Sequence, residues 1–175
     1  YTYRNLKLKG AIKNGNFNAT AGMNDVNLTF DMVAEGNFKG KYPAVKLKLN
    51  TDIADLEKLN LHAGPLKLRG VVEADIQSVD LDYLNGKMTA HTLFVTNEKG
   101  EFAVDSITIA ASTTSEKSAL ALESPFLDAT LNGKYKLSQL PTALSNSISK
   151  YYNWNPTSKK GKATKQFVSY SASVD

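Results

Sequence analysis

Apolar and polar residues alternate one by one along most of this chain, and that period of two admits strands where helices would need a spacing of 3.6. From Tyr3 to Lys13, Leu6, Leu8 and Ile12 keep one phase, with Gly10 in step. Asn14-Gly15 then offers the pair of residues that tolerate φ > 0 in a two-residue hairpin. Phe17, Ala19, Ala21 and Met23 carry the alternation back, and Asn24-Asp25 predicts a second turn. A third strand follows with Val26, Leu28, Phe30 and Met32 on one side and Asn27, Thr29 and Asp31 on the other. Three strands joined by such short turns form an antiparallel meander. Gly36, Gly40 and Pro43 mark a looser connection before a fourth strand, Val45 to Leu49.

The period changes at Asn50 to Lys58. An Asn-Thr-Asp start and apolar Ile53 and Leu56 three apart predict a short N-capped helix across the end of the sheet. After it, Leu66-Lys67-Leu68-Arg69-Gly70-Val71-Val72 nearly copies Leu6-Lys7-Leu8-Lys9-Gly10-Ala11-Ile12 at a separation of 60 residues. Leu66, Leu68, Val72, Ala74 and Ile76 share a face, and glycine inside a strand marks a bend or bulge, so the sheet is expected to curve there. Ser78 to Gly86 reads as a turn with Leu81 and Leu84 tucked beneath it. Met88 to Val95 and Phe102 to Ala111 pair through a turn at Glu98-Lys99-Gly100. The apolar phase slips from Phe102 and Val104 to Ile107 and Ile109, which predicts a bulge near Asp105-Ser106.

Ser112 to Ser118 is a polar turn, Leu120 and Leu122 a strand, and Ser124 to Leu137 one long strand or a kinked pair, carrying Gly133. Ser138 to Tyr152 has Leu140, Leu144, Ile148 and Tyr151 at helical spacing, with Pro141 tolerable in the first turn. Asn153 to Lys165 reads as a basic linker, and Gln166 to Val174 alternates again. The expected organisation is one repetitive β domain fragment over 1–175, with units near 1–60 and 61–152, a linker at 153–165 and the start of a further strand at 166–175. Its fold class is mostly β: an elongated, curled antiparallel sheet, taco-like with an apolar inner face, and one or two short capping helices.

Chemistry is hard to place on this pattern. There is no cysteine, which removes disulfides, thiolate metal sites and a cysteine nucleophile. His62 and His91 stand 29 apart with no carboxylate pattern around them, so no metal is expected at them. Asp80-x-Asp82 followed by Asn85-Gly86 lacks the spacing and closing Glu of a calcium loop and predicts Asx-turns. Asp105-Ser106 is not set in a nucleophile elbow, and no glycine-rich phosphate loop occurs. The chain is read as no enzyme and as needing no cofactor. Its net charge of +4 comes largely from Lys159, Lys160, Lys162 and Lys165, a solvated linker and not a nucleic-acid face. Trp154, Tyr151 and Tyr152 read as a staple at a helix end. No run is apolar enough for a spanning helix, and an export signal or anchor is expected outside this stretch.

Scaffold motifs carry a family likeness. DLEKLNL (55–61), PLKLRGVVEADIQSVDLDYLNG (65–86), VDSITIAA (104–111), LESPFLDATLNGKYKLSQLPTAL (122–144) and SKYY (149–152) together resemble the TamB / AsmA-like family of Gram-negative envelope proteins. The resemblance implies a periplasmic β-taco, a trough lined by apolar side chains, in a parent protein anchored in the inner membrane. It also implies phospholipid acyl chains as cargo, or an outer-membrane barrel assembly partner. The lining residues it points to are Leu6, Leu8, Ile12, Leu28, Phe30, Leu66, Leu68, Val72, Ile76, Met88, Leu131 and Tyr135. A closed structural or docking module without lipid would produce the same alternation, because a closed core and an open groove pattern a strand identically.

Overall fold

The computed structural model describes residues 2–142 and 167–173. Ten strands follow one another: β1 (Lys7–Lys13), β2 (Asn16–Asp25), β3 (Leu28–Asn37), β4 (Ala44–Asp55), β5 (Leu66–Ser78), β6 (Asn85–Asn97), β7 (Gly100–Thr113), β8 (Ser118–Glu123), β9 (Asp128–Lys134) and β10 (Phe167–Ser173). Their order in the sheet is their order in the chain, every neighbouring pair is antiparallel, and the sheet curls without closing. Asn14 and Gly15, at φ 50° and 72°, make the two-residue hairpin that the sequence demanded. Glu98-Lys99 is the corresponding loop between β6 and β7.

Residues paired across an antiparallel ladder lie on the same face, so the register sorts every side chain. Leu8 faces Ala21, Ala21 faces Met32, Met32 faces Leu49 and Leu49 faces Val72. On the opposite face Lys46 pairs with Asp75 and Lys48 with Glu73. One face is therefore apolar and the other polar. The apolar face is the more sheltered one, with Ala21, Met23, Ala34 and Ala54 buried while Asn18, Thr20, Glu35 and Lys48 between them are exposed. We call it the concave face.

A line of irregularities crosses the sheet at mid-height. Asp52 is an extra residue in β4, lying between the Thr51 and Ile53 pairings with β3. Thr51 pairs with Gly70, and Gly70 marks the register shift between β5 and β6. Gly70 adopts φ 154°, and a Cβ there would stand 2.6 Å from the Leu93 side chain, so glycine is required. Thr92, at φ 53°, continues the line and lies across from Asp105, between the pairs His91↔Ser106 and Leu93↔Val104.

The phase slip near Asp105-Ser106 is thus present, in a different form from a bulge of β7 alone. β6 and β7 slip together and keep their mutual register; the extra residue is felt against β5. The shared slip is what keeps Leu93, Val95, Phe102 and Val104 below the crease on the same face as Ala90, Met88, Ile107 and Ile109 above it.

Other expectations need correction. Asn50 to Lys58 is no helix: β4 runs through to Asp55 and a turn follows. The bulge at Asp52 puts Ile53 opposite Thr29 and Ala54 opposite Leu28, and Leu56 falls in the turn after the strand. The three-residue spacing of Ile53 and Leu56 thus spans a strand end and a turn and is no helical period. The turn placed at Asn24-Asp25 falls at Val26-Asn27, leaving Val26 82% exposed outside any strand. Asp25 stays in the strand and accepts the Asn27 N–H at 3.0 Å. Ser124 to Leu137 is interrupted by a turn closed by the Ser124 hydroxyl on Leu127, so β9 begins only at Asp128.

Leu81, the first residue of a 3₁₀ turn (Leu81–Tyr83), is exposed, and Leu84 just after the turn is half-buried. A second 3₁₀ turn spans Leu137–Gln139, and residues 140–142 are helical. The remainder of the helix expected to Tyr152, with Trp154 and the linker, lies outside the described residues. Between the expected units at 1–60 and 61–152 the ladder is unbroken, since β4 pairs with β5 along most of its length.

Candidate functional site

The concave face carries one uninterrupted row from edge to edge. Starting at β1, Ile12 pairs with Phe17, Phe17 with Gly36, Gly36 with Val45, Val45 with Ile76 and Ile76 with Gly86. From there Gly86 pairs with Ala111, Ala111 with Leu120, Leu120 with Leu131 and Leu131 with Tyr170 of β10. No polar side chain interrupts it. Parallel to it runs a second apolar row, in which Ala19, Ala34, Leu47, Ala74 and Met88 follow Gly10.

Among the described residues each strand packs substantially only on its sequence neighbours, so no second layer covers this face. No large side chain is fully buried, and most concave residues are half-buried. A soluble domain normally hides such a surface. Near the upper end a cleft of about 500 Å³ is lined by Phe17, Gly36, Val45 and Ile76 of the apolar row together with Asn18, Glu35, Lys46 and Asp75 of the polar phase. Phe17 lies across Gly36, where a Cβ would come within 2.1 Å of its ring, and stacks on Phe38 at 5.1 Å.

The residues proposed from sequence as lining share this face. Leu28 and Phe30 lie in β3, Leu66, Leu68, Val72 and Ile76 in β5, Met88 in β6 and Leu131 in β9. Leu8 and Ile12 sit on the outermost strand, 69% and 77% exposed, with Leu6 just before it. Tyr135 differs: it follows β9, is buried, and donates its hydroxyl to the Leu131 carbonyl at 3.3 Å, while its own carbonyl accepts from Ser118. Burial pushes its phenol pKa up. Sequence reasoning missed Phe17, Met32, Leu47, Leu49, Ile109, Leu120 and Leu122, all on the same face. Their alternation was visible; only the register connects them into rows.

Apart from Asp25 at the end of β2 and Asp52 in the bulge, the charges of the strands lie on the convex face, where they zip neighbouring strands. Lys48 meets Glu73 at 2.7 Å, Lys46 meets Asp75 at 3.5 Å and Lys67 meets Asp55 at 3.6 Å. The Lys48 ammonium holds the Glu73 carboxyl below its ordinary range. Arg69 covers Phe94, an apolar residue turned to the convex side by the crease, at 3.8 Å from the ring.

At the upper end the two 3₁₀ turns are joined. Asp82 accepts from the Ser138 hydroxyl at 2.7 Å and its N–H at 3.2 Å, with Lys136 at 3.7 Å, and these donors lower its pKa. Asp80 caps the first of these turns by accepting from the Asp82 N–H, and Asn85 ties the strand start to Thr113. The Asp80 to Asn85 stretch is thus a capping system. His62 bonds near the Gly64 carbonyl and His91 lies beside Glu73 and Thr92, in separate parts of the sheet. Among the described residues no cluster of three metal-ligating side chains forms, and no helix is long and apolar enough to cross a membrane.

Comparisons with family models, with curated proteins and with solved structures yield no match to this chain.

Proposed function

We propose that this chain is a segment of an envelope-spanning hydrophobic groove, periplasmic in a Gram-negative cell, that supports phospholipid transport to the outer membrane or protein assembly in it. The observation that carries the proposal is the apolar row from Ile12 to Tyr170, uncovered among the described residues and open at both edge strands. The motif resemblance supplies the cellular setting, with the parent protein anchored in the inner membrane.

Such a groove works without reaction chemistry. An acyl chain lying against the concave face is shielded from water by roughly 0.8 kcal/mol per methylene. Movement along the groove exchanges one apolar surface for another, so no step exposes the whole chain. Lys46, Lys48 and Lys67 on the convex side keep the outside wet. A closed docking module without lipid would need a second layer over the same floor.

A photo-crosslinking residue placed at Leu68, Val72 or Leu49 in the full-length protein tests the proposal in cells. Phospholipid adducts at these positions are expected. Absence of adducts at all three, with normal expression, would remove the lipid reading. Native mass spectrometry of the protein, beside capture of outer-membrane barrel partners, separates transport from assembly.

A further inference from the structure

The two halves of β7 differ in their surroundings. Its upper part, Thr108 to Thr113, is paired on both sides, with β6 and with β8. Its lower part, Gly100 to Ile107, pairs with β6 alone. β8 ends at Glu123, opposite Thr108, and the chain turns away there: Ser124 and Leu127 bond each other and Asp128 takes the Ser124 N–H at 3.3 Å. The turn satisfies itself and lends nothing to the strand below. β9 and β10 stay at the height of β8, so the notch is open beyond β7 among the described residues.

An open ladder of this kind has outward N–H and C=O groups with no protein partner, and a strand is the ligand that satisfies them all at once. Eight residues of strand span about 26 Å, enough for a peptide of matching length. Side chains around the notch specify the rest. Phe102, 47% exposed, and Val104 face the concave side, while Phe126, 50% exposed, tops the notch in the turn. Glu98, Glu101, Asp105 and Glu123 border it, and among the described residues only Glu101 of these has an ion-pair partner, Arg69.

Elsewhere the sheet matches neighbouring strands through lysine–carboxylate pairs on the convex face, as at Lys46–Asp75 and Lys48–Glu73. Here, among the described residues, Asp105 and Glu123 have no lysine paired with them, and the one lysine at the notch, Lys99, lies in the hairpin loop at its lower end. The other edges do not offer this combination: β1 carries Lys7, Lys9 and Lys13, and β10 presents Ser169, Ser171 and Ser173.

We infer that the lower edge of β7, Gly100 to Ile107, is a strand-addition site for an extended partner segment alternating lysine or arginine with apolar residues. The bound strand continues the line of β8 antiparallel to β7, places its apolar side chains beside Phe102 and Val104, and sets its cations against Asp105 and Glu123. This goes beyond the groove proposal, for it concerns the wall and a polypeptide and not the floor and an acyl chain.

The probe is a fluorescent, end-blocked peptide KLKVKLKV with a central diazirine, mixed with the whole chain. Saturable binding is expected, with adducts mapped by mass spectrometry to residues 100–107. The acidic peptide ELEVELEV should bind at least about tenfold more weakly to the same protein, and methylating alternate peptide amides should abolish binding. The double variant Asp105→Lys and Glu123→Lys, both exposed positions, should weaken KLKVKLKV about tenfold while circular dichroism stays unchanged. Adducts centred on β1 or β10, binding indifferent to peptide charge or amide methylation, or no saturable binding would each overturn the inference. The two-peptide comparison on the unaltered chain decides it even where the variant folds poorly.

Discussion

Strands β2 to β5 and strands β8 to β10 belong to one sheet and are built differently. The first group is 10 to 13 residues long, the second 6 or 7. The buried apolar residues within strands, Ala21, Met23, Ala34 and Ala54, all belong to β2, β3 and β4. Lysine–carboxylate pairs zip β4 to β5, whereas hydroxyls link β9 to β10, Thr130 with Ser171 at 2.7 Å and Ser169 to the Asn132 carbonyl at 3.1 Å. A long wall is held by burial and charge, a short one by backbone pairing and hydroxyls. Stability in a single-layer sheet is therefore local, and the short wall is the one expected to open first.

Truncating a side chain in each wall exposes the contrast most strongly. Met23→Ala removes a buried side chain and should cost about 2–4 kcal/mol in urea unfolding, whereas Leu122→Ala, half-buried in β8, should cost about 1 kcal/mol. Equal losses would mean that the walls are one cooperative unit of uniform packing.

The crease comes next. Gly70→Ala forces a Cβ toward Leu93 at a φ that side chains avoid, and should cost about 1–3 kcal/mol, with hydrogen exchange rising in β6 around Thr92. A neutral outcome would show that the crease is a loose join and not a fitted one.

A pH series reports on the clasp between the 3₁₀ turns. The Asp82 pKa is lowered in the fold, so its contribution is complete above the ordinary carboxylate value of 3.8 and disappears as pH falls through the lowered one. Asp82→Asn should therefore lower the thermal midpoint at about pH 6 and make no difference in strong acid. A gap between the two proteins that persists unchanged in acid would place the clasp's strength outside the carboxylate.

The smallest effect belongs to the convex ladder. Lys48→Ala should shift the midpoint slightly, and high salt should erase the difference, since both partners are solvent-exposed.

Much of this architecture was legible in the chain. Alternation at Leu6 to Ile12 and Leu66 to Ile76, and turn chemistry at Asn14-Gly15, specify strands and hairpins by local rules. What failed were places where one residue is added to a strand. The bulge at Asp52 broke the alternation at the end of β4, where Ile53 in the strand and Leu56 in the turn happen to lie three apart. The slip near Asp105 looked like an event in β7 alone because its counterpart, Thr92, carries no signal in sequence. Ser124-Pro125 does end β8 by a local rule, but that β7 runs on past this point without a partner is a matter of pairing, so the notch beside it was invisible. For the candidate site, the apolar phase of each strand could be read, but Tyr135 joined it on parity while its surroundings bury it. Rows such as Ile12 to Tyr170 exist only through pairing, which is a non-local property.

The central claim is that the concave face receives acyl chains and the convex face does not. Purified protein mixed with a phospholipid carrying a diazirine in its acyl chain, then irradiated and mapped by mass spectrometry, addresses it directly. Adducts on Leu49, Val72 and Ala90, with their sequence neighbours Lys48, Glu73 and Thr89 unlabelled, are the predicted result. Labelling spread equally over both faces, or no labelling at a phospholipid excess, would contradict it.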